Sequence, residues 1–153
     1  MLYRMVAGFV VSWFVVAVAN ADDAAKKDVK KLQGKWQAVE LQVQGKKAPP
    51  EQVKKFRIVI KGDEITFNPD GGNRKSKFKV DPSKSPKTMD MTPLDGPRKG
   101  KTILGIYSLE KGQLKICIPN SPNKSDITKR PTEFKTASGD GLYLLTFERA
   151  KSN

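Results

Sequence analysis

Apolar residues recur at every second position in short stretches separated by turn formers, a periodicity of half-buried strands rather than of long helices. The segment from Phe56 to Phe67 shows it most clearly. With Gly62-Asp63 as a two-residue turn, Lys61 faces Glu64, Ile60 faces Ile65 and Ile58 faces Phe67. Directly paired residues share a face, so the apolar pairs meet on one side and the charged pair on the other. A second hairpin around Lys111-Gly112 pairs Leu109 with Leu114, Tyr107 with Ile116 and Gly105 with Ile118. Cys117 and Lys115 then fall on its opposite face, where Cys117 is expected to be a small, half-buried packing residue rather than a reactive thiol.

The same pattern extends along the chain. Asn68-Pro69-Asp70-Gly71-Gly72-Asn73 is a turn by composition, followed by a strand with Ser76, Phe78 and Val80 on one face. Met89 and Met91 point inward from the next. Residues 92–101 form an exposed connection, and residues 120–141 a longer irregular one with a short extended piece at Thr132 to Lys135. Strands are therefore expected at 35–43, 56–61, 64–68, 75–81, 87–92, 102–110, 113–119 and 142–149, a number and length that fit a sandwich or barrel. Two short helices complete the reading. Asp22 or Asp23 caps one that carries Ala25, Val29 and Leu32 at helical spacing and ends at Gly34; Pro49-Pro50-Glu51 opens the other, through Lys55.

Arg4 followed by an apolar run to Ala19, and then Ala19-Asn20-Ala21, has the form of an export leader with a small-x-small cleavage site. The run is shorter than the roughly 20 residues needed to cross a bilayer and is followed at once by Asp22 and Asp23. Residues 1–21 are thus expected to be a cleaved signal peptide and residues 22–153 a single domain in a periplasm-like compartment or outside the cell, with no stable membrane span after cleavage. Cys117 is the only cysteine, so no intrachain disulfide can form and stability must come from packing. The formal net charge is +13, of which Arg4 alone belongs to the leader. Such a field attracts polyanions by screened Coulomb forces, but the lysines are spread along the chain rather than gathered in one block, the pattern of a solvated surface.

Histidine is absent, which removes the commonest metal ligand and the commonest general base at neutral pH. A Ser/His/Asp or Cys/His centre cannot be built. Ser121-Pro122-Asn123-Lys124 has the letters of Ser-x-x-Lys, but proline among loop formers opposes the helical turn that chemistry requires. Asp70-Gly71 lacks the other acidic positions of a calcium loop. Asn123-Lys124-Ser125 is a glycosylation acceptor only in a pathway that uses it, and Asp90, Asp95 and Glu133 are candidate carboxylates without supporting spacing. No catalytic residue, metal ligand or cofactor is assigned, and a non-enzymatic domain is expected.

Gly34-Lys35-Trp36, directly after a short helix and opening the first strand, resembles the Gly-x-Trp signature of lipocalin-type barrels. In that superfamily an arginine near the end of the last strand packs across the tryptophan. Arg149 stands in the matching place, so the resemblance implies Trp36 and Arg149 as a structural pair that closes the barrel, worth on the order of 0.5–2 kcal/mol. The chain is similar, more closely, to a family of small exported lipocalin-like domains of unknown function that is abundant in planctomycete genomes. The matching stretches run in order: Lys31 to Trp36, Val59 to Asp63, Asp95 to Tyr107, Leu114 to Cys117 and Arg130 to Phe134. The resemblance implies a mainly β fold, a small lipocalin-like antiparallel barrel of about eight strands with a short N-terminal helix. It brings no activity and no functional residues.

Two functions fit. In the first, the barrel holds a small apolar ligand in a pocket lined by Phe56, Ile58, Phe67, Phe78, Met89, Met91, Tyr107, Tyr143 and Phe147. Ile60, Ile65, Val80, Ile103, Leu109, Leu114, Ile116, Ile118 and Leu145 also face inward. At roughly 1.5–3 kcal/mol per buried side chain this set supplies a core without disulfides. The set is bulky, with only Gly105 and Ser76 leaving room, so the interior is expected to be filled or narrow. In the second, a basic interaction module binds an anionic polymer, a membrane surface or an exported protein; nucleic acid is not expected as a partner, and the chain is expected to be a monomer.

Overall fold

The computed structural model describes residues 17–68, 72–120 and 126–151. Most of the expected leader, the centre of the turn at 69–71 with its calcium-like Asp70-Gly71, and residues 121–125 with the Ser-x-x-Lys and glycosylation motifs lie outside the described residues. Nine strands form one antiparallel sheet: β1 (Gly34–Val43), β2 (Lys46–Lys47), β3 (Arg57–Lys61), β4 (Glu64–Asn68), β5 (Arg74–Asp81), β6 (Thr88–Pro93), β7 (Ile103–Glu110), β8 (Gln113–Pro119) and β9 (Leu142–Arg149). β1 pairs with β3 on one side and β9 on the other, so β1 and β3 to β9 close an eight-stranded barrel, to which β2 adds a stub on β1. The barrel architecture read from the sequence is the one observed.

Both hairpin registers are as expected. β3 and β4 pair Lys61 with Glu64, Ile60 with Ile65 and Ile58 with Phe67. β7 and β8 pair Leu109 with Leu114 and Tyr107 with Ile116, and their ladder ends at Ile106 and Cys117. Gly105 still lies against Ile118; a Cβ there would stand 2.7 Å from Ile118 Cγ2 and 3.0 Å from the Cys117 carbonyl oxygen.

Helix α1 (Ala17–Leu32) is longer than expected. Asp22 and Asp23 sit inside it and do not cap it, because the alanine-rich stretch upstream favours helix and carries it through Ala19-Asn20-Ala21. Helix α2 (Pro50–Val53) has proline in its first turn and buries Val53.

Two side chains, through three hydrogen bonds, dock the C-terminal turn of α1, whose last carbonyls have no partner within the helix. Trp36 Nε1 donates to Leu32 O at 2.8 Å, Arg149 Nη2 donates to Lys31 O at 2.5 Å, and Arg149 Nη1 donates to Gln33 O. The Arg149 guanidinium lies 3.9 Å from the Trp36 ring centroid, and Trp36 pairs with Arg149 across the β1–β9 seam. Gln33 in turn accepts from Gly62 N at 2.7 Å and donates to Gly62 O at 3.0 Å, holding the β3–β4 turn against the helix end. Gly34, at φ 114°, is required twice over: its backbone is left-handed, and a Cβ would lie 2.7 Å from Arg149 Nη1.

Residues 126–141 cross the outside of β7, β8 and β9 as a strap. The expected extended piece at Thr132 to Lys135 is not a strand; a closed barrel offers it no free edge, and Phe134 packs instead on the cluster of Ile106, Cys117 and Leu144. Cys117 is fully buried in this second apolar cluster, not half-buried. Arg130 fixes the strap by donating to Asp90 Oδ1 at 2.6 Å and to Gly105 O at 2.7 Å.

Candidate functional site

The two ends of the barrel differ. At the end where α1 docks, Leu32, Trp36, Ile60, Ile65, Met89, Tyr107, Leu114 and Phe147 are no more than 1% exposed, which leaves no water-sized void against them. That half is filled. A charged group also lies there: Asp28 on α1 accepts from Tyr107 Oη and from Lys87 Nζ, each at 2.7 Å. Burial raises the Asp28 pKa, but these hydrogen bonds and the Lys87 charge outweigh it and hold the carboxyl below its usual range. Tyr107 is raised by burial and by the same carboxylate, so its hydroxyl stays protonated and donating.

At the other end Val43, Phe56, Phe67, Ile118 and Tyr143 are only partly buried. Here a shallow concavity of about 490 Å³ opens between β1, β2, α2 and β9. Leu41, Val43, Ala48, Phe56 and Tyr143 supply its apolar surface, and Lys46, Lys47, Gln52 and Lys55 its rim. Lys47 is committed to Glu40 at 2.7 Å, and that ammonium, with Gln42, keeps the Glu40 carboxyl acidic. No ion pair among the described residues engages Lys46 or Lys55. The volume falls within the range of small-molecule pockets, about 300–1,000 Å³.

Of the pocket residues expected from sequence, the structure brings Phe56 and Tyr143 to this mouth, and Phe67 is partly exposed. Ile58, Phe78, Met89, Met91, Tyr107 and Phe147 are closed into the packed interior and line no open space, because the bulky set and α1 fill the volume between them. Leu41 and Val43 were missed for a physical reason. A bulge between Ala38 and Glu40 shifts β1 by one residue, so Trp36 and Ala38 face inward and then Leu41 and Val43 do. The adjacent apolar pair Ala38-Val39 marks that phase change in the sequence, and Val39 is the residue left outside.

Among the carboxylates considered, Asp90 is held by Arg130 while Asp95 and Glu133 are exposed. Among the described residues no group of histidine, cysteine, aspartate or glutamate could hold a metal ion, and no helix is long and apolar enough to cross a membrane. No family model, curated protein or solved structure matches the chain.

Proposed function

We propose that this is an exported, lipocalin-like binding protein that takes one small, mainly apolar molecule at the open end of its barrel. The observation that carries the reading is the contrast between the two ends. One is packed solid around Trp36 and closed by α1, whereas the other leaves apolar side chains partly uncovered around a concavity of about 490 Å³. Partly exposed Val43, Phe56 and Tyr143 regain burial when an apolar group covers them, at roughly 25 cal/mol per Å². The unpaired Lys46 and Lys55 ammoniums at the rim favour a ligand with a negative group, such as an amphipathic carboxylate. Export is supported by the leader-like composition of residues 1–21.

The test uses the mature chain and 1-anilinonaphthalene-8-sulfonate, an amphipathic anion whose fluorescence rises on apolar surfaces. Saturable one-to-one binding is expected, lost in Ala48→Phe, which fills the mouth, and retained in Met89→Leu, which changes only the packed interior. Binding that survives Ala48→Phe, or that never saturates, overturns the reading.

A further inference from the structure

The positive charge of this chain is not spread evenly over its surface. On the wall made by β1, β3, β4 and β5, alternation points Lys35, Arg57, Lys61, Lys75, Lys77 and Lys79 outward, because Trp36, Ile58, Ile60 and Phe78 take the inward positions. The carboxylates near them are few, and most are engaged. Glu64 lies across from Lys61 and Lys77 without an ion pair to either, Asp63 in the turn is paired to Lys77 at 2.8 Å, and Asp81 holds Ser83. Asp90, the cross-strand partner of Lys79, is taken by Arg130. No ion pair among the described residues engages Lys35, Lys61, Lys75 or Lys79. On the opposite wall, β7, β8 and β9 point one lysine, Lys115, and two carboxylates, Glu110 and Glu148, outward; Lys115 lies across from Ser108 and Thr146, and the strap, with its own Lys129, Arg130 and Lys135, covers the apolar positions.

We infer that the wall of β1, β3, β4 and β5 is a docking surface for a linear acidic polysaccharide. The warrant is charge complementarity together with shape. Strands about 4.8 Å apart, with alternate residues about 6.7 Å apart along each, set the ammoniums in a two-dimensional lattice over which a flexible polyanion can follow β5 from Lys75 to Lys79. Binding of this kind releases counterions from the polymer and is steered from a distance.

The same shape argues against the other anionic partners. A barrel wall is convex, so a planar bilayer meets it along a line and reaches few lysines at once. Among the described residues the large exposed apolar residues are Val39 and Leu94; Val39 lies on β1 of this wall, but a single valine buries too little apolar area to anchor it in lipid. A single-stranded nucleic acid gains much of its affinity by stacking on aromatic side chains, and no aromatic residue points outward from these strands. The surface is separate from the barrel mouth, so it stands or falls independently of the ligand site.

The experiment compares two triple variants of equal net charge. Lys75→Gln/Lys77→Gln/Lys79→Gln removes the β5 row, and Lys99→Gln/Lys129→Gln/Lys135→Gln removes exposed lysines elsewhere. Binding to heparin, to vesicles containing phosphatidylglycerol and to duplex DNA is measured by titration calorimetry across a salt series, with near-ultraviolet circular dichroism confirming that both variants are folded. The wall variant is expected to lose about tenfold or more in heparin affinity near roughly 0.1 M salt, with the slope of log K against log salt reduced by about two to three. The control variant is expected to lose no more than about threefold. Equal losses in the two variants would show that net charge alone acts and overturn the proposal. So would an absence of heparin binding by the unaltered chain, or tighter binding to the vesicles or DNA than to heparin.

Discussion

Replacing Arg149 with alanine should lower the melting temperature by about 10 °C. The side chain makes three contacts at one place: its plane covers Trp36 at 3.9 Å, and its two terminal nitrogens bond the Gln33 and Lys31 carbonyls at the end of α1. Arg149 is exposed, so each term is discounted for solvent. The stacking contributes roughly 0.5–1 kcal/mol, and each charge-assisted hydrogen bond about 1 rather than the 1.5–3 kcal/mol of a buried one. The sum, about 2–3 kcal/mol, converts at roughly 3–5 °C per kcal/mol for a domain of this size. Thermal unfolding followed by far-ultraviolet circular dichroism measures it. Arg149→Lys sharpens the test, because lysine keeps the charge and loses both the planar stack and the two-pronged bond. It should recover less than half of the loss. A shift under about 2 °C for Arg149→Ala would refute the assignment of α1 docking to this residue, and full recovery by lysine would show that charge, not geometry, matters.

Gly34→Ala should destabilise through both its left-handed backbone and the Arg149 contact at 2.7 Å, so its effect and that of Arg149→Ala should add to less than their sum in a double-mutant cycle followed by thermal melts. Asp28→Asn should cost about 2–3 kcal/mol near neutral pH, discounted because Lys87 is 39% exposed. The folded Asp28 pKa lies below its unfolded value, so its contribution is present above about pH 4 and is lost as the pH falls through the folded value; denaturation curves of parent and variant should converge in acid. Cys117, pushed up to about 11 first by burial and then by the Asp140 carboxylate, should resist a disulfide reagent at neutral pH in the folded chain and react promptly once denatured. Prompt reaction of the folded chain would show that the strap opens readily.

The hairpins were legible because each is a local problem. Gly62 and Lys111-Gly112 fix two turns, and the apolar pairs Ile60 with Ile65 and Leu109 with Leu114 admit one register each. What could not be read depends on contacts distant in sequence. Whether Met89 or Phe147 lines a cavity is decided by how far α1 and the opposite strands fill the space, a volume that no single strand encodes. The mouth residues Ala48, Gln52 and Lys55 belong to connections whose position follows from where β2 and α2 fold back. Asp28 reads as an ordinary solvent-facing residue of an amphipathic helix until Tyr107 and Lys87, far along the chain, supply its partners.

The β1–β9 seam has a kinetic meaning as well. It joins the first and last long strands of the chain, and Arg149 reaches back 116 residues to Gln33. The hairpins can form early from neighbouring residues, but the ring closes only when the two distant segments meet, so loop closure makes that step the slow one. Until then β1 and β9 are two open edges, each rich in Leu, Val or Phe. Molecular chaperones or dilution should therefore matter most in the interval before closure, and a chain whose last strand is altered should be lost to aggregation rather than accumulate as a partly folded monomer.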